Sequence, residues 1–455
     1  MEQEMSFDLG IDIGSSAVRV VLTRPIANKE GHTTLEIVGL GKAPCMGVSK
    51  GNINNLDRTS EAIEAALKEA MVKGGYLLSE MPNDLFANVN VSGKNIKIKS
   101  DFSTITRKTP GNGVKNQDIK QLFDDVHKTV VADGTKIVHV LPIDFNVGED
   151  DQIYDPIGRI GRKLGGDFQV ITGNVSDLEY IKQTLKLADH RLVRSEFVVS
   201  PLAAALSVLD EKQKKMGVAL VDIGGGTTDV AIFHKGITRH IAILPFAGNH
   251  ITSDIEEYFN LDNESAESAK FAVPSSDPAS CLDSMLLVVP TADGMPPIEI
   301  FAKNVAKIIQ ARLREIAAMV YAELKRAGYH DKLGAGIVLT GGSSKIQNID
   351  KTFAQITGIS TQIGKLKGIE KINVNEQIIS DSSWATALGL AWLDVKKLDA
   401  RIPDNNDGNA GDDDNGYERT PPPTKPLGWS GGAGWKQGLK DVLGSMVTDK
   451  IVDKY

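Results

Sequence analysis

The sequence predicts an α/β fold of two related halves, with an inserted region and a C-terminal amphipathic helix. Two segments share one form: an apolar strand ending in Asp-Ile-Gly, a turn of small residues and a second, β-branched strand. They span residues 7–23 and 218–233, and an internal repeat of this kind indicates duplicated cores. Elsewhere, short β-rich runs alternate with helical patterns, which favours an α/β arrangement.

The bulk composition excludes several classes of protein. The chain has 455 residues, which is too long for one core. Its 41% hydrophobic and 24% charged residues are typical of a folded soluble protein. A net charge of −8 argues against a nucleic-acid binder, which needs a basic face. Cys45 and Cys281 lack metal-ligand spacing, so we expect ordinary reduced thiols.

No segment has the pattern of a signal peptide or of a membrane span. The first residues are polar and acidic, without the basic start and apolar core of a signal peptide. No apolar run is long enough to cross a bilayer. We therefore expect a chain that is neither secreted nor transmembrane, although its C-terminal end has the pattern of a surface-bound helix.

The first half is predicted to contain an insertion. A helix is expected at 59–74, beginning at Thr59 or Ser60 and ending at Gly74 and Gly75. A strand follows at 85–91. Residues 92–167 differ in character, with a helix, a β-rich strand and Gly-rich turns, and a strand–helix pattern resumes at 168. The remaining predicted elements are strands at 168–172, 192–199 and 336–340, and helices at 177–188, 201–209, 251–270, 298–327 and 383–397.

The two hairpins have the composition of phosphate-binding turns. Glycine permits close approach of backbone N–H groups, and successive N–H groups in a tight turn bind anions. Small hydroxyl side chains add hydrogen bonds, and Asp12 and Asp222 at the strand ends are candidate ligands of a water-bound Mg²⁺. The candidate phosphate-binding residues are Gly14, Ser15, Ser16, Gly224, Gly225, Gly226, Thr227 and Thr228.

Each motif also has a simpler explanation. The first turn alone is explained equally well by an ordinary hairpin with an Asp. The second is more specific, because three glycines in a strand context weaken the strand and need a reason. A third motif, Gly341, Gly342 and Ser343 after a strand, lets a flat base or ribose lie against the backbone. Alone it would be a plain turn, but it follows the other two in order.

Together, the three motifs resemble those of the actin-like ATPase superfamily, and more narrowly the FtsA family. The narrower similarity rests on 218–229 and on Asp-Pro-Ile-Gly at 155–158 followed by Gly-Arg-Lys-Leu at 161–164. It implies an actin-like two-domain fold, with duplicated ribonuclease-H-like cores around a nucleotide cleft that holds ATP and Mg²⁺. It also implies that Glu267 and Lys270 pack on the ribose and base.

The resemblance also implies a division into subdomains. They are 1A (5–91, 168–210 and 383–398), the inserted 1C (92–167), 2A (211–250 and 300–382) and 2B (251–299). The acidic, Asn-, Gly- and Pro-rich segment 399–434 cannot bury a core and is predicted to be a disordered linker. Residues 435–455 are then a membrane-targeting helix.

Two departures from the family pattern bear on activity. Ala17 stands where such hairpins usually carry a Lys, with Arg19 two residues further on the same face of the strand. Ser200 precedes the helix that usually presents a polar or acidic residue to the attacking water, and the nearest carboxylate in sequence is Glu196. Since phosphoryl transfer depends on positioning and charge stabilisation, we expect ATP binding with at most weak ATPase activity.

The C-terminal segment is predicted to bind a membrane surface. An apolar helical stripe is formed by Trp435, Leu439, Val442, Leu443 and Met446, with lysines mainly elsewhere. A helix that packs on a protein is the general alternative. The terminal position and the predicted linker favour the membrane, and FtsA proteins resemble this chain in ending with such a helix.

The FtsA resemblance implies a polymerising protein on the cytoplasmic face of the inner membrane at mid-cell. Its implied partners are the tubulin-like FtsZ, further copies of itself, anionic lipid and other division proteins.

Three alternative functions fit the sequence less well. A sugar-kinase-like phosphotransferase would have a conspicuous catalytic Asp near the cleft and no membrane helix, and the sequence offers the reverse. An Hsp70-type chaperone needs a large C-terminal domain, and similarity to the pilus-assembly protein PilM leaves the C-terminal helix unexplained.

Overall fold

The computed structural model describes residues 7–27, 33–76, 85–129, 131–291, 296–367, 381–393, 398 and 418–419. The chain divides into two compact units. One is formed by residues up to 94 together with 179–396, and the other by 95–178 with a short C-terminal strand. The predicted membrane-binding helix and most of the predicted linker lie outside the described residues. In the described part of the chain, no helix is long and apolar enough to cross a membrane.

The first half of the larger unit is a five-stranded sheet. Its strand order is β11 (Arg194–Val199), β6 (Phe86–Val91), β1 (Asp8–Ile13), β2 (Ala17–Ala27) and β3 (Thr33–Pro44). Strand β1 is antiparallel to β2 and parallel to β6. The helix after the first hairpins packs on β3 and β2, and the last helix among the described residues, Ala385–Ala391, packs on β1. The elements are β1 (Asp8–Ile13), β2 (Ala17–Ala27), β3 (Thr33–Pro44), β4 (Val48–Ser49), β5 (Asn52–Ile53), α1 (Leu56–Gly74) and β6 (Phe86–Val91).

The smaller unit is an antiparallel sheet with one helix against it. Its strand order is β19 (Glu418–Arg419), β7 (Lys97–Thr106), β10 (Lys163–Asn174), β8 (Thr135–Val147) and β9 (Asp150–Ile153). Phe123 and Phe145 each meet Phe168 edge to face in its core. The predicted boundary at 167/168 was wrong, because the strand that contains Phe168 pairs with both neighbours in this sheet. The elements are β7 (Lys97–Thr106), α2 (Asn116–His127), β8 (Thr135–Val147), β9 (Asp150–Ile153) and β10 (Lys163–Asn174).

The connecting elements return the chain to the first sheet and then begin the second half. The second sheet has the order β14-β13-β12-β17-β18. The elements are α3 (Val175–Ala188), β11 (Arg194–Val199), α4 (Ser200–Val208), α5 (Glu211–Met216), β12 (Val218–Ile223), β13 (Thr228–His234), β14 (Ile237–Leu244), α6 (Gly248–Phe259), α7 (Asn263–Ala272), β15 (Leu286–Val289), β16 (Ile298–Phe301), α8 (Ala302–Arg326), β17 (Ile337–Thr340), α9 (Ile349–Thr357), β18 (Thr361–Ile363), α10 (Ala385–Ala391) and β19 (Glu418–Arg419).

The two large sheets have the same topology, which confirms the predicted duplication. In each, a hairpin and a third strand form an antiparallel meander, and two parallel strands extend the sheet on the other side. β1 in the first sheet corresponds to β12 in the second. Each half has its own buried apolar core.

Several predicted boundaries were wrong for local reasons. Helix α1 begins three residues early, because the Asn55 side chain accepts a hydrogen bond from the Arg58 amide and caps it. The helix predicted at 251–270 is broken, because Asn260 adopts the left-handed conformation and Asp262 caps a new helix. The helix predicted from 298 starts later, because β16 pairs with β15 first. Within the predicted linker, the structure places β19 beside β7.

Candidate functional site

A cleft of about 930 Å³ lies between the two halves of the larger unit. Both Asp-Ile-Gly turns and the third glycine motif line it, as predicted. The predicted residues among its walls are Asp12, Gly14, Ser15, Ser16, Asp222, Gly224, Gly225, Gly226, Thr227, Glu267, Lys270, Gly341, Gly342 and Ser343. Residues predicted from both halves therefore line one cleft.

Thr228 is the exception among the predicted binding residues. It begins β13, and successive side chains of a strand face opposite sides. Its hydroxyl is fully buried and donates to the Phe246 carbonyl at 2.6 Å. Thr227 and Asp229, one residue to either side, face the cleft. Contrary to the prediction, the Thr228 side chain does not face the cleft, and Asp229 is one of the cleft residues that sequence reasoning missed.

The two turns lie so close together that a side chain at Gly225 would clash with the facing turn. A Cβ built on Gly225 would lie 2.1 Å from the Ser16 hydroxyl and 2.8 Å from Asn249 Oδ1. The Ser16 hydroxyl in turn lies 3.2 Å from Asn249 Oδ1 and donates to it. Glycine at this position lets the backbone of each turn approach the same small volume.

Four amide groups in these turns point to an anion site. Across the described residues, no hydrogen bond found uses the backbone N–H of Ser15, Ser16, Gly225 or Gly226. By contrast, the preceding Gly14 and Gly224 amides close their own turns. Unused N–H groups clustered in two facing turns form a nest that suits phosphate oxygens. The residues present therefore fit a polyphosphate.

Three carboxylates form the floor of the cleft at the strand ends. Asp12 faces Arg19 across the first hairpin, and Asp222 faces Asp229 across the second. Burial, opposed by Arg19 and reinforced by Asp222, raises the pKa of Asp12 to about 7. Burial raises the pKa of Asp222 to about 6, against the Thr386 hydrogen bond and the Arg19 charge. Burial and the adjacent Asp222 raise the pKa of Asp229 to about 8.

These carboxylates suit a cation that keeps much of its water. In the part of the chain that the structure describes, no group of three or more His, Cys, Asp or Glu is placed to hold a metal. Mg²⁺ commonly takes one or two carboxylates, with water and phosphate oxygens completing its shell. Asp12 and Asp222, facing the turns from opposite halves, fit that limited role.

On the cleft wall that contains Glu267 and Lys270, the lysine fixes the neighbouring groups through hydrogen bonds. Lys270 is 1% exposed, and its ammonium donates to the Glu267 carboxylate, to the Thr252 hydroxyl at 2.9 Å and to the Gly248 carbonyl at 3.4 Å. All three ammonium donors thus go to protein oxygens. Lys270 positions Glu267, whose side chain is 38% exposed to the cleft side.

The residues considered for orienting water are not free for that role. Ser200 lines the cleft, but its hydroxyl donates to the Val91 carbonyl and accepts from Asn90. Glu196 is exposed on β11 and is not among the cleft-lining residues. We therefore assign a water-orienting role to neither residue.

Comparison with known proteins identifies relatives along most of the chain. The model "Cell division protein FtsA" matches residues 219–389, and "SHS2 domain inserted in FTSA" matches residues 93–172. The FtsA protein of Pseudomonas aeruginosa is 28% identical over 389 residues, covering 86% of this chain and 89% of that protein. The FtsA protein of Escherichia coli K12 is 25% identical, covering 84% and 89%.

Among solved structures, the PilM–PilN type IV pilus biogenesis complex is similar, with a TM-score of 0.60 at 16% identity, covering 86% of this chain and 98% of that one. That similarity concerns the fold. The inserted unit agrees with the second family model, and the duplicated sheets around a cleft agree with the predicted actin-like architecture. The chain belongs to the FtsA family of cell division proteins and has its actin-like α/β fold.

Proposed function

We propose that this protein binds Mg-ATP in the cleft and, in that form, polymerises and tethers a tubulin-like FtsZ to the cytoplasmic face of the inner membrane. The observation that carries the proposal is the set of four amide groups, unused within the described part of the chain, in two facing turns beside buried carboxylates. Family membership supports the role in division. Other division proteins would be recruited by the same assembly.

The residues divide the work of holding the nucleotide. The amides of Ser15, Ser16, Gly225 and Gly226 would hold the phosphate oxygens. Asp12 and Asp222 would hold Mg²⁺ through its waters, and the bound ion would neutralise phosphate charge. Gly341, Gly342 and Ser343 would support the base and ribose, together with Glu267. Because the Ser200 hydroxyl is engaged and Glu196 does not line the cleft, neither would orient the attacking water, and hydrolysis would be slow.

Membrane attachment would come from the apolar stripe from Trp435 to Met446. One such helix binds reversibly, because a short stripe buries little apolar surface. A filament presents many helices at once, so binding tightens by avidity when ATP promotes assembly. Nucleotide and membrane binding would thus be linked through polymerisation, without contact between the two sites.

Co-sedimentation with liposomes that contain anionic lipid tests this proposal. The full-length protein is compared with and without Mg-ATP, beside Asp222→Ala and a chain ending at Gly434. Asp331→Ala is the control, since that side chain is 66% exposed and does not line the cleft. We expect Mg-ATP to increase pelleting of the wild type and the control, but not of Asp222→Ala.

Each other outcome contradicts a stated part of the proposal. Pelleting that ignores nucleotide would reject ATP control of assembly. Pelleting of the truncated chain would reject the C-terminal anchor. No pelleting of any variant would reject the tether and favour a phosphotransferase of the same superfamily.

A further inference from the structure

The floor of the cleft is asymmetric at one pair of equivalent positions. Because the two sheets share a topology, the cross-strand pair Asp12–Arg19 in the first hairpin corresponds to Asp222–Asp229 in the second. The first half therefore carries a cation where the second half carries a carboxylate. The side chains of Arg19 and Asp229 line the same cleft.

Arg19 is largely but not fully buried, and its contacts with the described residues leave donors unused. Its side chain is 12% exposed, and Nη1 lies 3.9 Å from Asp12 Oδ2. That separation is an ion pair but is longer than a hydrogen bond. Nε is buried and has no hydrogen-bond partner among the residues that the structure describes, and Cζ lies 6.0 Å from the ring centre of Trp384. A guanidinium has five donors, so this one is underused.

The other cations that line the cleft differ from Arg19. Lys270 donates to protein oxygens, and Lys345 donates to Asp381 at 3.3 Å. Lys42 faces Arg19 across β2 and β3, one strand further from Asp12, and is exposed. Arg19 is a largely buried cation whose charge acts on both strand-end carboxylates and opposes the rise in pKa of each of them.

We propose that Arg19 is a phosphate-binding residue of the cleft, whose unused donors hold the terminal phosphates of the nucleotide. This inference rests on the proposed nucleotide binding. A planar guanidinium matches two phosphate oxygens at once and cannot lose its charge. The cleft therefore has a fixed cation of its own, and triphosphate binding persists in part without Mg²⁺.

A purely structural role for Arg19 makes a different prediction. If Arg19 were only a counter-ion that stabilises Asp12, its substitution would impair folding or would weaken the binding of all adenine nucleotides equally. A residue that contacts the terminal phosphates changes the preference for ATP over AMP. The ratio of these two affinities therefore separates the two roles.

The experiment measures ATP and AMP binding to the full-length protein by calorimetry, with Mg²⁺ or with EDTA. Losing a charge-assisted contact to phosphate should weaken ATP binding by Arg19→Gln about tenfold to a hundredfold, most clearly in EDTA. AMP binding should change by less than about threefold. Arg19→Lys keeps the charge without the fork and should fall between the two.

Two further variants sharpen the result. Arg24→Gln is the matched control, since Arg24 lies on the same strand but pairs with Glu36 at 2.6 Å and does not line the cleft. It should bind ATP as the wild type does. Ala17 lines the cleft two residues before Arg19, so adding Ala17→Lys to Arg19→Gln restores a cation on that face and should recover ATP binding.

Three outcomes would overturn the inference. They are wild-type ATP affinity in Arg19→Gln, an equal loss of ATP and AMP binding, and wild-type binding that vanishes in EDTA. Should Arg19→Gln not fold, Arg19→Lys carries the test, and an unchanged ATP-to-AMP ratio there would overturn it. A wild type that binds no nucleotide in either condition would reject the proposed function itself.

Discussion

At the scale of single residues, the third glycine motif is fixed by one close contact. Gly341 has a φ of +87°, in the left-handed region that side chains rarely adopt. A Cβ built there would lie 2.2 Å from Asp222 Oδ1 and 2.6 Å from the Ile223 carbonyl oxygen. The strand end of the second hairpin therefore meets the third motif with no room for a methyl group.

We expect Gly341→Ala to lower the free energy of unfolding by at least about 2 kcal/mol, because it adds left-handed strain and displaces a buried carboxylate. Thermal unfolding in the absence of nucleotide measures this. Gly342→Ala is the matched control, since its Cβ would meet nothing within 4 Å. Similar losses in the two variants would contradict the argument.

At the scale of elements, the inserted unit is organised around one buried ion pair. Arg107 is 2% exposed, and its Nε donates to Asp118 in the first turn of α2 at 3.0 Å. Its other nitrogens donate to the carbonyls of Asn112, Gly113 and Gly161 at 2.7–2.9 Å. One guanidinium thus connects the start of α2 with two loops.

Arg107→Ala should destabilise the inserted unit by about 3–5 kcal/mol, because it leaves Asp118 buried without its cation. Hydrogen exchange of the α2 amides in the full-length protein measures the loss. Arg159→Ala removes an exposed pair with Asp150, where the side chains are 52% and 72% exposed, and should change exchange little. Equal effects would show that Arg107 has no special role.

Sequence reasoning predicted the elements that are encoded by local residue patterns. It missed features that depend on which strands pair. Alternation and turn residues located both hairpins, because those signals lie within a few residues. The strand at Ile298–Phe301 was missed, because only its pairing with β15 distinguishes it from the helix that follows. Asp229 was missed for the same reason, since its place opposite Asp222 depends on strand register. Alternation from Thr227 could have found it.

At the scale of the larger unit, hydrogen bonds cross the cleft and join the halves. Ser92 follows β6 in the first half, and its hydroxyl lies 3.0 and 3.2 Å from the two carboxylate oxygens of Asp229. Thr386 on α10 donates to Asp222 at 3.0 Å. The carboxylates of the second half are therefore satisfied by hydroxyls of the first.

Ser92→Ala should lower the stability of the nucleotide-free protein by about 1–3 kcal/mol, since Asp229 loses a donor while it stays buried. Thermal unfolding of the full-length chain gives the value. Ser280→Ala serves as control, because its hydroxyl makes the same kind of bond to Asp277 at 3.1 Å but on the surface. A loss no larger than in that control would show that the cross-cleft bond contributes nothing.

The packing of α10 on β1 has a consequence for how the chain is made. A Cβ on Gly10 would lie 2.2 Å from the Ala387 carbonyl, so the first strand packs directly on a helix encoded near the other end of the described chain. On the ribosome, β1 emerges long before that helix exists. The second sheet, contiguous from Val218 to Ile363, can close while the nascent chain still lacks α10. We therefore expect the second half to fold first, leaving the N-terminal sheet dependent on chaperones until α10 has been made.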